Sequence, residues 1–217
     1  MKKKILTLAL VVVMVAIMLT SFTLAYFTDT SAVAKNVMTV GNVAIKQTEE
    51  FAQGATLMPG AANAIKKTVT VENTGSAPVY VRTLIAIEGE DCISGKLNVE
   101  ISDEVTAGWR DAKADGADKT CAQFKIGDKV FTVMECVYPE ALKNGQTYTS
   151  LKSVYLDDST TAKDLKDAGV SGDYEILVLP QAVQTEGLGE DASAALDKAF
   201  EPLTDAYAAT LFGGAAY

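Results

Sequence analysis

Histidine is absent from the 217 residues. That absence rules out a Ser-His-Asp or Cys-His nucleophile, the His-Glu-x-x-His zinc helix and any imidazole metal site. Positive charge is also scarce, with 19 Lys and Arg against 28 Asp and Glu, for a formal charge of −9. Phosphate neutralisation needs clustered Lys and Arg, so no nucleic-acid partner is expected. Cysteine occurs three times, as Cys92, Cys121 and Cys136. An odd set allows at most one disulfide, and no pair has the C-x-x-C spacing of a redox or zinc motif. Cys92 and Cys121 are the pair open to oxidation. Cys136 alternates with Met134 in a strand-like run and reads as a small buried apolar residue.

What is present is an ordinary globular balance, with 48% hydrophobic and 22% charged residues, which argues against a disordered chain. The first 25 residues read as an export leader. Lys2, Lys3 and Lys4 precede an unbroken apolar run from Leu8 to Leu19, and polar Thr20, Ser21 and Thr23 lead to small Ala25. This is a signal peptide, with cleavage expected between Ala25 and Tyr26. Its loss would leave 192 residues at a formal charge of −12, because three lysines go with it. The product is expected to be secreted or held at the cell surface, membrane-anchored only if the leader is retained. Self-repulsion at that charge should make any assembly easier as salt rises or pH falls toward the carboxylate range.

Beyond residue 37 period-two alternation dominates. Val79, Val81, Thr83, Ile85 and Ile87 share one face of a strand, and Tyr80, Arg82 and Glu88 lie on the other, with Leu84 and Ala86 between them. Ile65, Val69 and Val71 alternate likewise against Lys66, Thr68, Thr70 and Glu72. Further strands are expected over 37–47, 97–101, 121–126, 129–138, 147–156 and 174–185. Asn73 to Pro78, Gly127-Asp128 and Asn144-Gly145 supply turn chemistry. Pro180 interrupts the last strand and suits a sheet edge or bulge. Only Thr160 to Ala168 and Asp191 to Phe200 look helical, the second with Asp191 as N-cap. The pattern predicts an all-β fold, an antiparallel jelly roll or β-sandwich with one short helix near the C-terminus, preceded by the signal-peptide helix. The expected organisation is a leader over 1–25, a segment over 26–40 and a sandwich domain over 41–217.

Motifs of catalysis fail on inspection. Gly187-Leu188-Gly189-Glu190-Asp191-Ala192 imitates a dinucleotide loop, but Glu190 and Asp191 place negative charge where a pyrophosphate would sit. Gly89 to Lys96 has the wrong spacing for a phosphate loop, with Leu97 in place of the magnesium-binding hydroxyl. Asp111 to Gly116 opens like a calcium loop, yet Lys113 holds a ligand position and Ala122 replaces the closing glutamate. Asp157-Asp158 and Glu49-Glu50 read as solvated surface, and Trp109 as packing rather than a stacking platform. No catalytic, cofactor-binding or metal residue is expected.

The junction carries a more particular signal. Thr23-Leu24-Ala25-Tyr26-Phe27-Thr28-Asp29-Thr30, then Val40-Gly41-Asn42-Val43 and Leu57-Met58-Pro59-Gly60, resembles the TasA/camelysin family. Lys67 to Ser76, with its Asn73-Thr74-Gly75 turn, Val79 to Arg82 and Gln181 to Gly187 add to the likeness. The resemblance covers most of residues 20–88 and 173–200 and is loose between them. It implies a leader processed by an ER-type (SipW-like) signal peptidase and a jelly-roll subunit of an extracellular, biofilm-type matrix. It further implies fibres built by strand donation, with accessory matrix proteins as further partners. The donor would be residues 26–40, strand-compatible and proline-free, with Phe27, Val33, Val37 and Val40 apolar. Two other readings stay open: a monomeric surface module binding carbohydrate or protein, and a camelysin-like metallo-endopeptidase, which the missing histidine disfavours.

Overall fold

The computed structural model describes residues 42–52, 54–89, 97–109, 122–167 and 174–216. Gly41–Tyr217 forms one compact unit. The strands are β1 (Ile45–Phe51), β2 (Ile65–Asn73), β3 (Val79–Glu88), β4 (Leu97–Ile101), β5 (Thr106–Trp109), β6 (Gln123–Ile126), β7 (Lys129–Leu142), β8 (Thr147–Leu156), β9 (Ile176–Gln184) and β10 (Ala215–Ala216). The helices are α1 (Ala162–Asp167), α2 (Ala192–Ala199) and α3 (Asp205–Phe212). One sheet has the order β1-β2-β8-β4, the other β10-β6-β7-β3-β9 with β5 also paired to β7. Every strand pair is antiparallel. The fold is all-β, as the alternation predicts.

The two sheets pack face to face. Val69, Leu151, Val154 and Leu156 of the first meet Ile85, Ile87, Met134 and Cys136 of the second in one buried cluster. At one end Val71 and Tyr148 join Val79, Val81 and Leu142. A polar bridge crosses this interior where Tyr148 Oη and Thr83 Oγ1 share a hydrogen bond of 2.7 Å. Burial pushes the Tyr148 hydroxyl well above its ordinary range. Cys136 is fully buried, and its thiol is pushed up to about 12, by burial first and by the neighbouring Glu135 charge second.

The outer face of β3 departs from the simple in-out reading. Leu84 and Ala86 are as buried as Ile85, because Leu203, Ala208 and Ala209 of the α3 region cover them. Phe124 stacks between Phe131 and Phe212, with ring centroids 5.2 and 5.1 Å away, and so ties α3 to the sheet. α2 lays Ala192 and Leu196 against Val137. Its N-cap is Asp191, which accepts from Ala194 N–H at 2.8 Å.

Several boundaries differ from the sequence expectation. Among the described residues the first strand begins at Ile45, because residues 42–44 are drawn onto the β2–β3 turn instead; residues 37–41 of the expected strand lie outside the described residues. β7 runs past Pro139 to Leu142, accommodated by a register shift opposite Val79–Val81. β5, four residues long, is not among the expected strands. The C-terminus carries a second helix, α3, capped by Thr204 and ended by Gly213 in the left-handed conformation, where only one helix was expected. The leader helix lies outside the described residues.

Candidate functional site

The cleavage residues Ala25 and Tyr26 and the segment residues Phe27, Val33, Val37 and Val40 all lie outside the described residues. Their point of attachment is well defined. Asn42 N–H donates to Ser76 Oγ at 3.0 Å, and its carbonyl accepts from Ala77 N–H at 3.2 Å. Ala44 O accepts from both Thr74 and Gly75 N–H at 2.9 Å. A Cβ on Gly75 would lie 2.4 Å from Asn42 O, so only glycine allows this close approach. Buried Asn73 holds the turn from within, donating to Leu142 O and Ala77 O and accepting from Gly75 N–H. Asn144 Nδ2 also donates to Gly75 O. The two turns read separately from sequence thus meet at one end of the sandwich. Asn42 is fixed at that end.

The edge strands are the features that could receive a partner. In an antiparallel ladder the residues of a hydrogen-bonded pair face each other, while their neighbours point N–H and C=O the other way. Glu88 N–H bonds Glu175 O at 3.0 Å, and Thr185 N–H bonds Pro78 O at 3.4 Å. These set the phase of the uninterrupted β3–β9 register. Leu177, Leu179, Gln181 and Val183 therefore address β3. Ile176, Val178, Pro180, Ala182 and Gln184 direct their main-chain groups to the open side. Opposite Ile87, Ile85, Thr83, Val81 and Val79, their side chains point between the sheets, yet Ile176, Val178, Pro180 and Ala182 are only half-buried.

Across the gap runs β1, the edge of the other sheet. Thr74 N–H to Ala44 O sets its phase, so Ile45, Gln47, Glu49 and Phe51 turn their main-chain groups outward, with side chains on the face of Asn73, Val71, Val69 and Lys67. Phe51 is 44% exposed, and Lys67 Nζ lies 5.0 Å from its ring centre and 2.8 Å from Glu49 Oε2. Glu50 pairs with Lys66, a hydrogen bond and charge that hold its carboxyl below the ordinary range. Ile45 and Ala182 pack against one apolar cluster, so the two edges approach each other at the Asn73 end.

The edges differ in charge. β1 carries Lys46, Glu49 and Glu50, and Glu49 points inward, a device that discourages strand addition. β4 has five residues and Glu100; β10 has two residues. β9 offers nine residues, Ile-Leu-Val-Leu-Pro-Gln-Ala-Val-Gln, without one charge. Pro180 sits at an outward position and removes one donor from this edge, as its interruption of the alternation suggests.

A buried ionic group anchors β9 from the outer face. Arg82, 2% exposed, donates through Nε to Gln181 Oε1 at 2.7 Å and through Nη1 to Glu135 Oε1 at 2.8 Å. Asp197 of α2 lies 3.5 Å from Nη1, and the guanidinium sits over the Phe200 ring at 5.1 Å. The alternation places Arg82 on the face opposite Val81 and Thr83, and the helix packed over that face is what buries it. At the opposite end fully buried Glu88 accepts from Lys129 Nζ and Glu175 N–H, both at 2.9 Å.

The remaining candidates have structural roles. Glu49 and Glu50 are ion-paired, and Asp157 accepts from Ser159 N–H at 2.9 Å. Asp158 Oδ1 lies against Gly60. Gly189 closes on Ala195 N, where a Cβ would sit at 2.5 Å, so the glycine-rich stretch is a helix-entry loop. Trp109 pairs by backbone with Met134. Cys92, Cys121 and the Asp111–Gly116 loop lie outside the described residues. Among the described residues no three Cys, Asp or Glu side chains gather as metal ligands. No family model and no curated protein matches this chain.

Proposed function

We propose that this protein is an exported structural subunit that assembles by strand donation, lending residues 26–40 to a neighbouring copy after removal of the leader. One observation carries the reading: a sandwich edge of nine uncharged residues with four half-buried, inward-pointing side chains. Such an edge templates strand addition unless something covers it. An added strand gains main-chain hydrogen bonds and places alternate side chains between the sheets. The junction motif supports the export step, with an ER-type signal peptidase as processing partner and fibres of an extracellular matrix as product. It is also the ground for placing the chain near the TasA/camelysin proteins and for reading the sandwich as a jelly roll.

Protein beginning at Tyr26 and protein beginning at Gly41 are compared by electron microscopy and size-exclusion chromatography across salt and pH. Filaments from the first alone are the expected result. Two monomeric proteins under all conditions would refute strand donation and favour a surface binding module. The N-terminal residue of secreted material tests the leader, with Tyr26 expected.

A further inference from the structure

We infer that Asn144 is a modification site: its side-chain amide is lost by deamidation through Gly145 when the joint between the two turns opens, and the acid left behind keeps that joint from closing again. The inference stands apart from strand donation and uses only the interlocked turns around Gly75.

The chemistry begins in the sequence. An asparagine side chain is attacked by the backbone nitrogen of the residue after it, and a side chain on that residue obstructs the approach, whereas glycine carries none. Of the six asparagines only Asn144 precedes glycine; the others precede Val, Ala or Thr. Asn144 and Gly145 are both exposed. Gly145 has a φ of 73°, and nothing lies within 4 Å of where its Cβ would be. In the reaction the Gly145 nitrogen bonds to Asn144 Cγ while the Cγ–Nδ2 bond breaks, and Nδ2 leaves as ammonia with the Gly145 proton. Water then opens the cyclic imide at either carbonyl, giving aspartate or isoaspartate.

The closed joint holds both reacting groups elsewhere. Gly145 N–H donates to Asn73 O at 2.8 Å, so the nucleophile must give up that bond before base can take its proton. Asn144 Nδ2 donates to Gly75 O at 2.7 Å, which turns the leaving group toward the other turn. The loop that carries them is braced as well. Gln146 N–H donates to Lys143 O at 3.0 Å, Asn73 N–H donates to Gln146 O at 3.0 Å, and Lys143 N–H donates to Gln146 Oε1 at 2.8 Å. Reaction therefore proceeds from the opened joint, and its rate scales with the fraction of time the joint is open.

The product does not fit back. An aspartate carboxylate only accepts, so it would set an oxygen against Gly75 O where the amide donated. Isoaspartate also adds a methylene to the main chain of a hairpin turn, whose geometry fixes the register of its strands. Either product adds a negative charge to a chain already at −9. Gly75 would keep the bonds from its N–H to Ala44 O and Asn73 Oδ1 and lose the brace on its carbonyl. The loosening passes to Thr74, Gly75 and Ala77, whose N–H groups hold Ala44 and Asn42.

Protein expressed from the full-length gene is incubated at mildly alkaline pH, folded and in guanidinium chloride, and every asparagine is followed by peptide mass mapping. Conversion should be fastest at Asn144 in the unfolded chain and at least tenfold slower there in the folded one. Gly75→Ala, whose Cβ would meet Asn42 O at 2.4 Å, should open the joint and raise the folded rate severalfold. Asn144→Asp should quicken amide exchange at Thr74, Gly75 and Ala77, and Asn98→Asp should leave it unchanged. Should a variant fail to fold, the deamidated fraction of aged wild-type protein, separated by its added charge, gives the same exchange comparison. Equal rates in folded and unfolded protein, an unaltered rate in folded Gly75→Ala, or unchanged exchange at those three amides after deamidation would overturn the inference.

Discussion

Replacing Arg82 with methionine is the sharpest test of how the second sheet is held together. The side chain keeps an unbranched stem but loses the guanidinium and its charge, which leaves Glu135, itself 5% exposed, and Gln181 Oε1 without that donor. It also removes the contact over the Phe200 ring. Taking one partner out of a buried ion pair costs about 3–5 kcal/mol, because the remaining charge is left in a poorly solvating interior. Arg82 Nη2 finds no partner of its own, so the native cluster is incompletely compensated and the lower half of that range is expected. For a domain of this size the loss corresponds to a fall in melting temperature of roughly 6–15 °C. Urea denaturation followed by circular dichroism measures it. Arg82→Met with Glu135→Leu should recover most of the loss, since an apolar pair no longer strands a charge. Asp197→Asn should cost no more than ~1 kcal/mol, as that carboxylate is half exposed. A loss below ~1 kcal/mol in Arg82→Met, or a double variant no more stable than the single, would refute the argument. Gln181 belongs to β9, so amide exchange along β9 should quicken in the single variant.

Tyr148→Phe leaves Thr83 Oγ1 without its partner between the sheets and should cost about 1–3 kcal/mol in the same assay, while adding Thr83→Val should restore much of it. Alkali should destabilise the fold. The Cys136 thiol ionises near 9.0 when unfolded but is held up to about 12 when buried, so above pH 9 the unfolded state loses a proton that the folded state keeps, and stability falls as pH rises. Buried Tyr148 and half-buried Tyr174, whose hydroxyls burial also pushes up, act in the same direction. A urea midpoint unchanged between pH 8 and pH 10.5 would contradict this. Asp191→Ala removes the α2 cap and should cost about 1 kcal/mol, with faster exchange confined to the first turn of that helix.

Much of the strand layout is legible in the sequence because a sandwich core imposes period two on its strands. β4 and β8 lie where alternation places them, and Asn73 to Pro78 is a turn for the reason its residue types suggest. Pro180 at an edge follows from its missing donor. Asp191 as a cap and Cys136 as a core residue are equally local inferences. The N-terminal limit of β1 was not legible, because hydrogen bonds from a turn thirty residues onward decide it. The strand expected over 129–138 stops short of Pro139, but a register shift lets the strand run through it. β5 is too short for alternation to reveal.

Composition and local period by themselves determined the all-β class, the lack of imidazole chemistry and the net negative charge, since these depend on which residues exist and in what order. Tertiary structure alone decided that β3 is buried on both faces, that Arg82 is locked beneath a helix, and that β9 rather than β1 is the uncharged open edge. Those outcomes depend on which segments become neighbours in space. Pattern within one strand shows that two faces differ, but not what will cover either of them.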